Sequence, residues 1–199
     1  MSFDWLPLFS TAVGSGLAAA LLAVAWERRR GQARAAELAW RDPATGVYAR
    51  AVLLELLAYQ LELAARLGHP VALLVVEPDE PAGPSRQRAA LRQALARRLV
   101  ERVRADDLLG HWGEASFLIV LPGTDAGGAL VLAQDLRDGL AQNGIELDGR
   151  RLGASVGVHA HQPSGRGRRD ELALTLAAAA QRALDATRAD GPGRIEIEP

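Results

Sequence analysis

The chain has 199 residues, of which 49% are apolar and 24% charged, and a formal net charge of −1. Disordered, collagenous and disulfide-scaffold classes are excluded by that composition, and the near-neutral balance argues against a nucleic-acid binder. Cysteine and lysine are both absent: thiolate nucleophiles and cysteine-based zinc sites are ruled out, and all 23 basic residues are arginine, a usage that carries no functional reading.

From Trp5 to Trp26 there is no charged residue across 22 positions, and the run ends at Glu27-Arg28-Arg29-Arg30. At ~1.5 Å rise per residue it reaches about 32 Å, enough for a hydrocarbon layer of about 30 Å. Terminal tryptophans suit the two interfaces, and the three arginines put the carboxy-terminal side in the cytoplasm. Residues 1–26 are therefore read as a single-pass transmembrane anchor. A secretory signal would carry positive charge before the apolar run, and Met1-Ser2-Phe3-Asp4 has none. Gly14 and Gly16 would allow close helix packing, which makes a homodimer a possible arrangement.

Residues 27–41 read as a juxtamembrane helical stalk, and residues 42–199 as one α/β domain. Asp42-Pro43 can open a new element. Helical spacing runs from Val52 to Leu67, where Gly68 can stop it, and the aliphatic run Val71–Val76 suits a strand buried on both faces. A helix follows over 86–104, then a buried strand over 117–121 closed by Pro122-Gly123. A helix over 126–142, a strand around 152–159, a helix over 170–188 and a short strand over 194–197 complete the order. Pro78–Ser85 and Pro163–Arg169 are loops. Strands and helices alternate, so a single sheet with helices packed on it is expected.

Five segments then resemble one family. Asp42-Pro43-Ala44-Thr45-Gly46-Val47-Tyr48-Ala49-Arg50 is similar to the opening motif of GGDEF domains, the diguanylate cyclase family. Val71–Glu77, Trp112–Pro122, Leu152–Val158 and Ala183–Ile195 follow in register, so the resemblance covers about residues 40–197. It implies the nucleotidyl-cyclase type of α+β fold, a central, mostly antiparallel sheet flanked by helices. In an active member it also implies two divalent cations held by acidic groups of the first strand and of the signature turn.

The signature here is Gly113-Glu114-Ala115-Ser116-Phe117. Glu77 can stand in for the strand acid, but Ala115 and Ser116 occupy the two acidic positions of the turn, and neither methyl nor hydroxyl replaces a carboxylate. Glu114 occupies the second glycine position, where its side chain and charge oppose a phosphate. The guanine- and phosphate-reading stretch after the first strand is replaced by the short loop Pro78–Ser85. The expectation is a degenerate domain without catalytic residues and without a bound metal.

One family site matches in position. Arg104-Ala105-Asp106-Asp107 stands five residues before Gly113, where the resemblance implies an inhibitory-type site for cyclic di-GMP. The chemistry suits it, because a guanidinium fork donates to guanine O6 and N7 while a carboxylate accepts from the N1 and N2 donors. Arg137 is a further candidate by proximity; by count the family's additional arginine falls on Asp135. The alternative is that Arg104 and Asp107 simply end a helix. A second Arg-x-x-Asp, Arg182–Asp185, lacks the position. His69, His111, His159 and His161 are scattered, and the arginine-rich face over 86–102 reads as solvated.

The resemblance thus points to a membrane-anchored, inactive cyclic di-GMP receptor at a bacterial inner membrane, similar to the degenerate receptors that regulate exopolysaccharide synthesis or secretion, the Pel type among them, with a membrane synthase or secretion component as partner. A ligand-independent scaffold and a residual diguanylate cyclase are the alternatives.

Overall fold

The computed structural model describes residues 40–79, 85–142, 145–147, 150–163 and 169–198. The expected anchor over 1–26, and the expected stalk up to residue 39, lie outside the described residues. No helix among the described residues is long and apolar enough to cross a membrane.

Asp42 organises the first turn. Its Oδ1 accepts hydrogen bonds from the backbone N–H groups of Ala44 at 2.8 Å and Thr45 at 2.9 Å, closing a turn that lets Arg41 bridge antiparallel to Tyr48. Arg41, the last residue of the expected stalk, therefore sits in this bridge. Helix α1 spans Arg50–Leu67 and buries Leu53, Leu57, Ala58, Leu61 and Ala64, a stripe at three- and four-residue spacing. Gly68 ends it in the left-handed region, with φ 71°, and its N–H donates to the Ala64 carbonyl.

Strand β1, Val71–Pro78, is the centre of the sheet. Its run from Val71 to Val76 has no exposed surface because each face meets a different layer. Ala72, Leu74 and Val76 share one core cluster with Leu91, Leu95 and Leu99 of helix α2, Ser85–Val100. Val71, Leu73 and Val75 share the other with Leu53, Leu57 and Leu61 of α1. At about 25 cal/mol per Å2 of apolar surface, such two-sided burial is the main driving force for the sheet.

The remaining elements are β2 Leu108–His111, β3 Phe117–Pro122, α3 Ala126–Gln142, β4 Ile145–Leu147, β5 Arg150–Leu152, β6 Ala154–His161, α4 Arg169–Asp190 and β7 Ile195–Glu198. The five-stranded sheet has the order β2-β3-β1-β6-β7, antiparallel except for the parallel β6–β7 pair. Strands β4 and β5 pair with each other in a separate hairpin.

Three sequence expectations need correction. Strict alternation of strands and helices fails, because β2 and β3 form an edge hairpin and β4, β5 and β6 are consecutive. The helix expected to run to Arg104 stops at Val100: Arg102 N–H turns back to the Leu99 carbonyl, and the Asp107 side chain captures the Arg104 N–H that a helix would have used. The strand expected around Leu152–His159 is divided, with Leu152 in β5 and Gly153 outside either strand.

Candidate functional site

A cleft of about 510 Å3 opens between the turn after α2, the loop leaving β3 and the first turns of α3. That volume is within the range of small-molecule sites. Arg104 and Asp107 both line it, on a turn closed twice: Arg104 N–H donates to Asp107 Oδ2 at 2.8 Å, and Asp107 N–H donates to the Arg104 carbonyl at 3.3 Å. The fixed oxygen leaves Oδ1 of Asp107 without a hydrogen-bond partner among the described residues. The Arg104 guanidinium likewise forms no hydrogen bond or ion pair among them. Burial pushes the Asp107 carboxyl above its ordinary range, and neighbouring Asp106 adds to this, while the Arg104 N–H and guanidinium partly oppose it.

Across the cleft, Asp125 caps α3: its Oδ1 accepts from Gly128 N–H at 2.8 Å, and its carbonyl accepts from Ala129 N–H at 2.9 Å. Further along α3, both oxygens of Asp135 accept from Nη1 of Arg102, at 2.8 and 2.7 Å. Arg137 is not part of the cleft lining; its Nε and Nη2 both pair with Asp138 at 2.8 Å. The structure therefore brings together Arg104, Asp107, Asp135 and Arg102, and leaves Arg137 outside. Arg102 is hidden in the arginine-rich face expected over 86–102, although it lies two residues past the end of α2. The available signal was Asp135, whose acidic side chain at a position expected to be basic asks for a cation from another element.

The signature turn lies beyond β2. Trp112 N–H donates to the Ser116 carbonyl at 3.0 Å, which closes Gly113, Glu114 and Ala115 into a tight loop ahead of buried Phe117. Glu114 points to solvent and pairs with Arg88 Nε of α2 at 2.9 Å. Trp112 is held on two sides, donating from Nε1 to Gln181 at 2.8 Å and lying under the Arg50 guanidinium at 4.2 Å from its ring centre. Glu77 pairs with Ser155, one residue beyond the Val76–Phe117 pair that ends the β1–β3 ladder. The neighbouring carboxylate, Asp79, accepts from Ser155 Oγ at 2.6 Å.

This donor set does not fit the pair of divalent cations that the sequence resemblance implies. Ala115 presents a methyl group and Ser116 a hydroxyl where carboxylates would be needed. No group of three or more His, Cys, Asp or Glu able to hold a metal occurs among the described residues.

The remaining sequence candidates have other partners. Arg182 forks onto the Glu198 carboxylate and Asp185 accepts from Gln181 at 2.9 Å, so the second Arg-x-x-Asp is tied into the fold. His159 Nδ1 lies 2.9 Å from the Glu198 carbonyl, while His111 Nε2 lies 2.8 Å from Thr45 Oγ1. Burial pulls His111 below the ordinary histidine range despite Asp42 nearby. It is therefore neutral at pH 7, and the Thr45 hydroxyl stands between its Nε2 and Asp42 Oδ1, 3.2 Å away.

The fold is shared with known proteins. Residues 89–194, more than half of the chain, match the family model described as diguanylate cyclase, GGDEF domain. No curated protein matches the sequence. Among solved structures, the GGDEF domain of FimX from Pseudomonas aeruginosa aligns with a TM-score of 0.68 at 22% identity, covering 80% of this chain and 99% of that one. The coiled coil and GGDEF domain of DgcB from Caulobacter crescentus, solved with c-di-GMP, aligns with a TM-score of 0.69 at 16% identity, covering 94% and 100%. Diguanylate cyclase SiaD from Pseudomonas aeruginosa, in complex with its activator SiaC, aligns with a TM-score of 0.68 at 24% identity, covering 97% and 76%.

Proposed function

Because this chain belongs to the GGDEF domain family, we propose that it is a cyclic di-GMP receptor without cyclase activity. The observation that carries the reading is the Arg104–Asp107 turn, which presents to a nucleotide-sized cleft a guanidinium fork and one carboxylate oxygen that have no hydrogen-bond partner among the described residues. The fork suits guanine O6 and N7, and the carboxylate suits the ring N–H and amino donors. DgcB, a structural neighbour, was solved with the same ligand. The absence of cyclase activity is supported by Ala115 and Ser116 in the turn and by the Glu114–Arg88 pair, which places a carboxylate where a phosphate would have to approach.

On this reading the apolar run 5–26 tethers the receptor to the inner membrane, and ligand binding changes its contact with a membrane synthase or secretion component. Titration calorimetry of the full chain with cyclic di-GMP tests the receptor role. Binding by the wild type that Arg104→Ala removes is the expected result; no heat at high micromolar ligand, or binding indifferent to Arg104→Ala, refutes it. Turnover of GTP with Mg2+ or Mn2+ would refute the non-cyclase part alone.

A further inference from the structure

Two guanidinium groups line the cleft: Arg104 has no hydrogen-bond or ion-pair partner among the described residues, while Arg102 is held by Asp135 through two short hydrogen bonds. We propose that Asp135 is a resident competitor of the ligand: its carboxylate occupies Arg102 in the empty site, and an anionic phosphodiester of the ligand must take Arg102 from it. This rests on the receptor reading above and adds to it a device that sets the affinity threshold.

The arrangement is built from two elements. Arg102 leaves the end of α2 and crosses to α3, 33 residues away in sequence. Its guanidinium lies against Gly139, one turn beyond Asp135, where an added Cβ would stand 3.0 Å from Nη2 and 3.2 Å from Cζ. The glycine supplies the room for that approach. Arg102 also lines a second, smaller recess with Glu101, Leu136 and Leu140, so the side chain forms a wall between two openings rather than a strand of solvated charge. Arg137 is engaged by Asp138 and supplies no substitute.

Charge accounting gives the device its direction. The cleft carries two guanidinium groups against three carboxylates, Asp107, Asp125 and Asp135, among the described residues. A ligand with two phosphodiester charges meets a lining that is acidic on balance unless one carboxylate gives way. Asp125 is committed to the cap of α3 and Asp107 to the Arg104 turn, which leaves Asp135 as the group whose cation can be transferred. The pair is half exposed on both sides, so the exchange needs no unfolding and costs little.

The test is calorimetric titration of the full chain and its variants with cyclic di-GMP at two salt concentrations. Asp135→Asn is expected to tighten binding by roughly three- to tenfold, since it removes both the competitor and a like charge. Asp135→Glu should stay near the wild type. Arg102→Ala should abolish the gain in the double variant and lower the salt dependence of binding, a readout that a purely structural role would not move. Equal affinity of wild type and Asp135→Asn overturns this inference and leaves the receptor reading intact. Failure of the wild type to bind overturns the receptor reading and this inference with it, whatever the variants do.

Discussion

Gly157 is the position where the packing is least forgiving. It sits in β6 directly beneath α4, and a Cβ built on it would lie 2.7 Å from Leu184 Cα, and closer still to Leu184 N and the Ala180 carbonyl. Carbon atoms pack at about 3.5 Å or more, so Gly157→Ala requires α4 to retreat by about 0.8 Å at that atom and further at the nearer two. The obstacles are helix backbone and cannot rotate away. A retreat of that size forfeits a quarter to a half of each dispersion contact, and α4 contributes Ala173, Leu176, Ala177, Ala180, Ala183 and Leu184 to the buried surface. Overpacking ordinarily costs 1–3 kcal/mol, and a shift of a whole helix belongs at the upper end, about 3 kcal/mol. Urea unfolding of wild type and variant measures it, with Gly127→Ala as the opposite control. At Gly127, in the exposed first turn of α3, an added Cβ meets only Asp125 Oδ1 at 3.5 Å, and alanine should add up to about 1 kcal/mol. A loss below about 1 kcal/mol for Gly157→Ala would show that α4 is not seated on the β6 backbone.

Two further predictions concern protons. Binding through Asp107 needs its carboxylate, and burial has raised its pKa; cyclic di-GMP affinity should therefore fall as pH drops through that raised value, and Asp107→Asn should bind weakly with a flat profile. His111 is held below its unfolded pKa chiefly by burial, so the unfolded chain binds more protons between the lowered value and about 6.5, and stability should decline as pH falls through that window. His111→Gln keeps a hydrogen-bonding side chain opposite Thr45 and should flatten the decline in thermal melts between pH 7 and 5.5; an unchanged slope would place its origin elsewhere.

Elements whose cause is local were legible in the sequence. Helix α3 was expected over 126–142 and is found there, because its buried Ala129, Ala133, Leu136 and Leu140 repeat at helical spacing. Strand β1 announced itself as an aliphatic run because both of its faces are covered. By contrast, β2 is four residues long with half-buried ends, and its backbone is ordered by β3 and by Tyr48, which lies 60 positions upstream of it. The end of α2 was misread for a related reason: arginine and alanine favour helix as far as Arg104, and only the Asp107 side chain redirects that backbone. The site divides in the same way. Arg104 and Asp107 are three residues apart and form a turn that a motif can carry, whereas the Arg102–Asp135 pair exists only once the end of α2 is laid beside α3.

The signature turn permits one further step. Glu77 places a carboxylate near the end of β1, one residue beyond the Val76–Phe117 pair, and Ser116, one residue before Phe117, is 5% exposed. A carboxylate at position 116 would be nearly buried next to like charge, which is costly unless a cation or a proton neutralises it. Alanine at 115 and serine at 116 add no such demand, and the turn closes through Trp112 N–H and the Ser116 carbonyl. The wild type should then melt at the same temperature in EDTA and in millimolar Mg2+. Ala115→Asp combined with Ser116→Glu should lose about 2–4 kcal/mol in EDTA, several degrees or more in a domain of this size, and recover part of it when Mg2+ is added. Stabilisation of the wild type by Mg2+ would refute this account, because it would mean that Glu77 and Asp79 hold a cation without the turn.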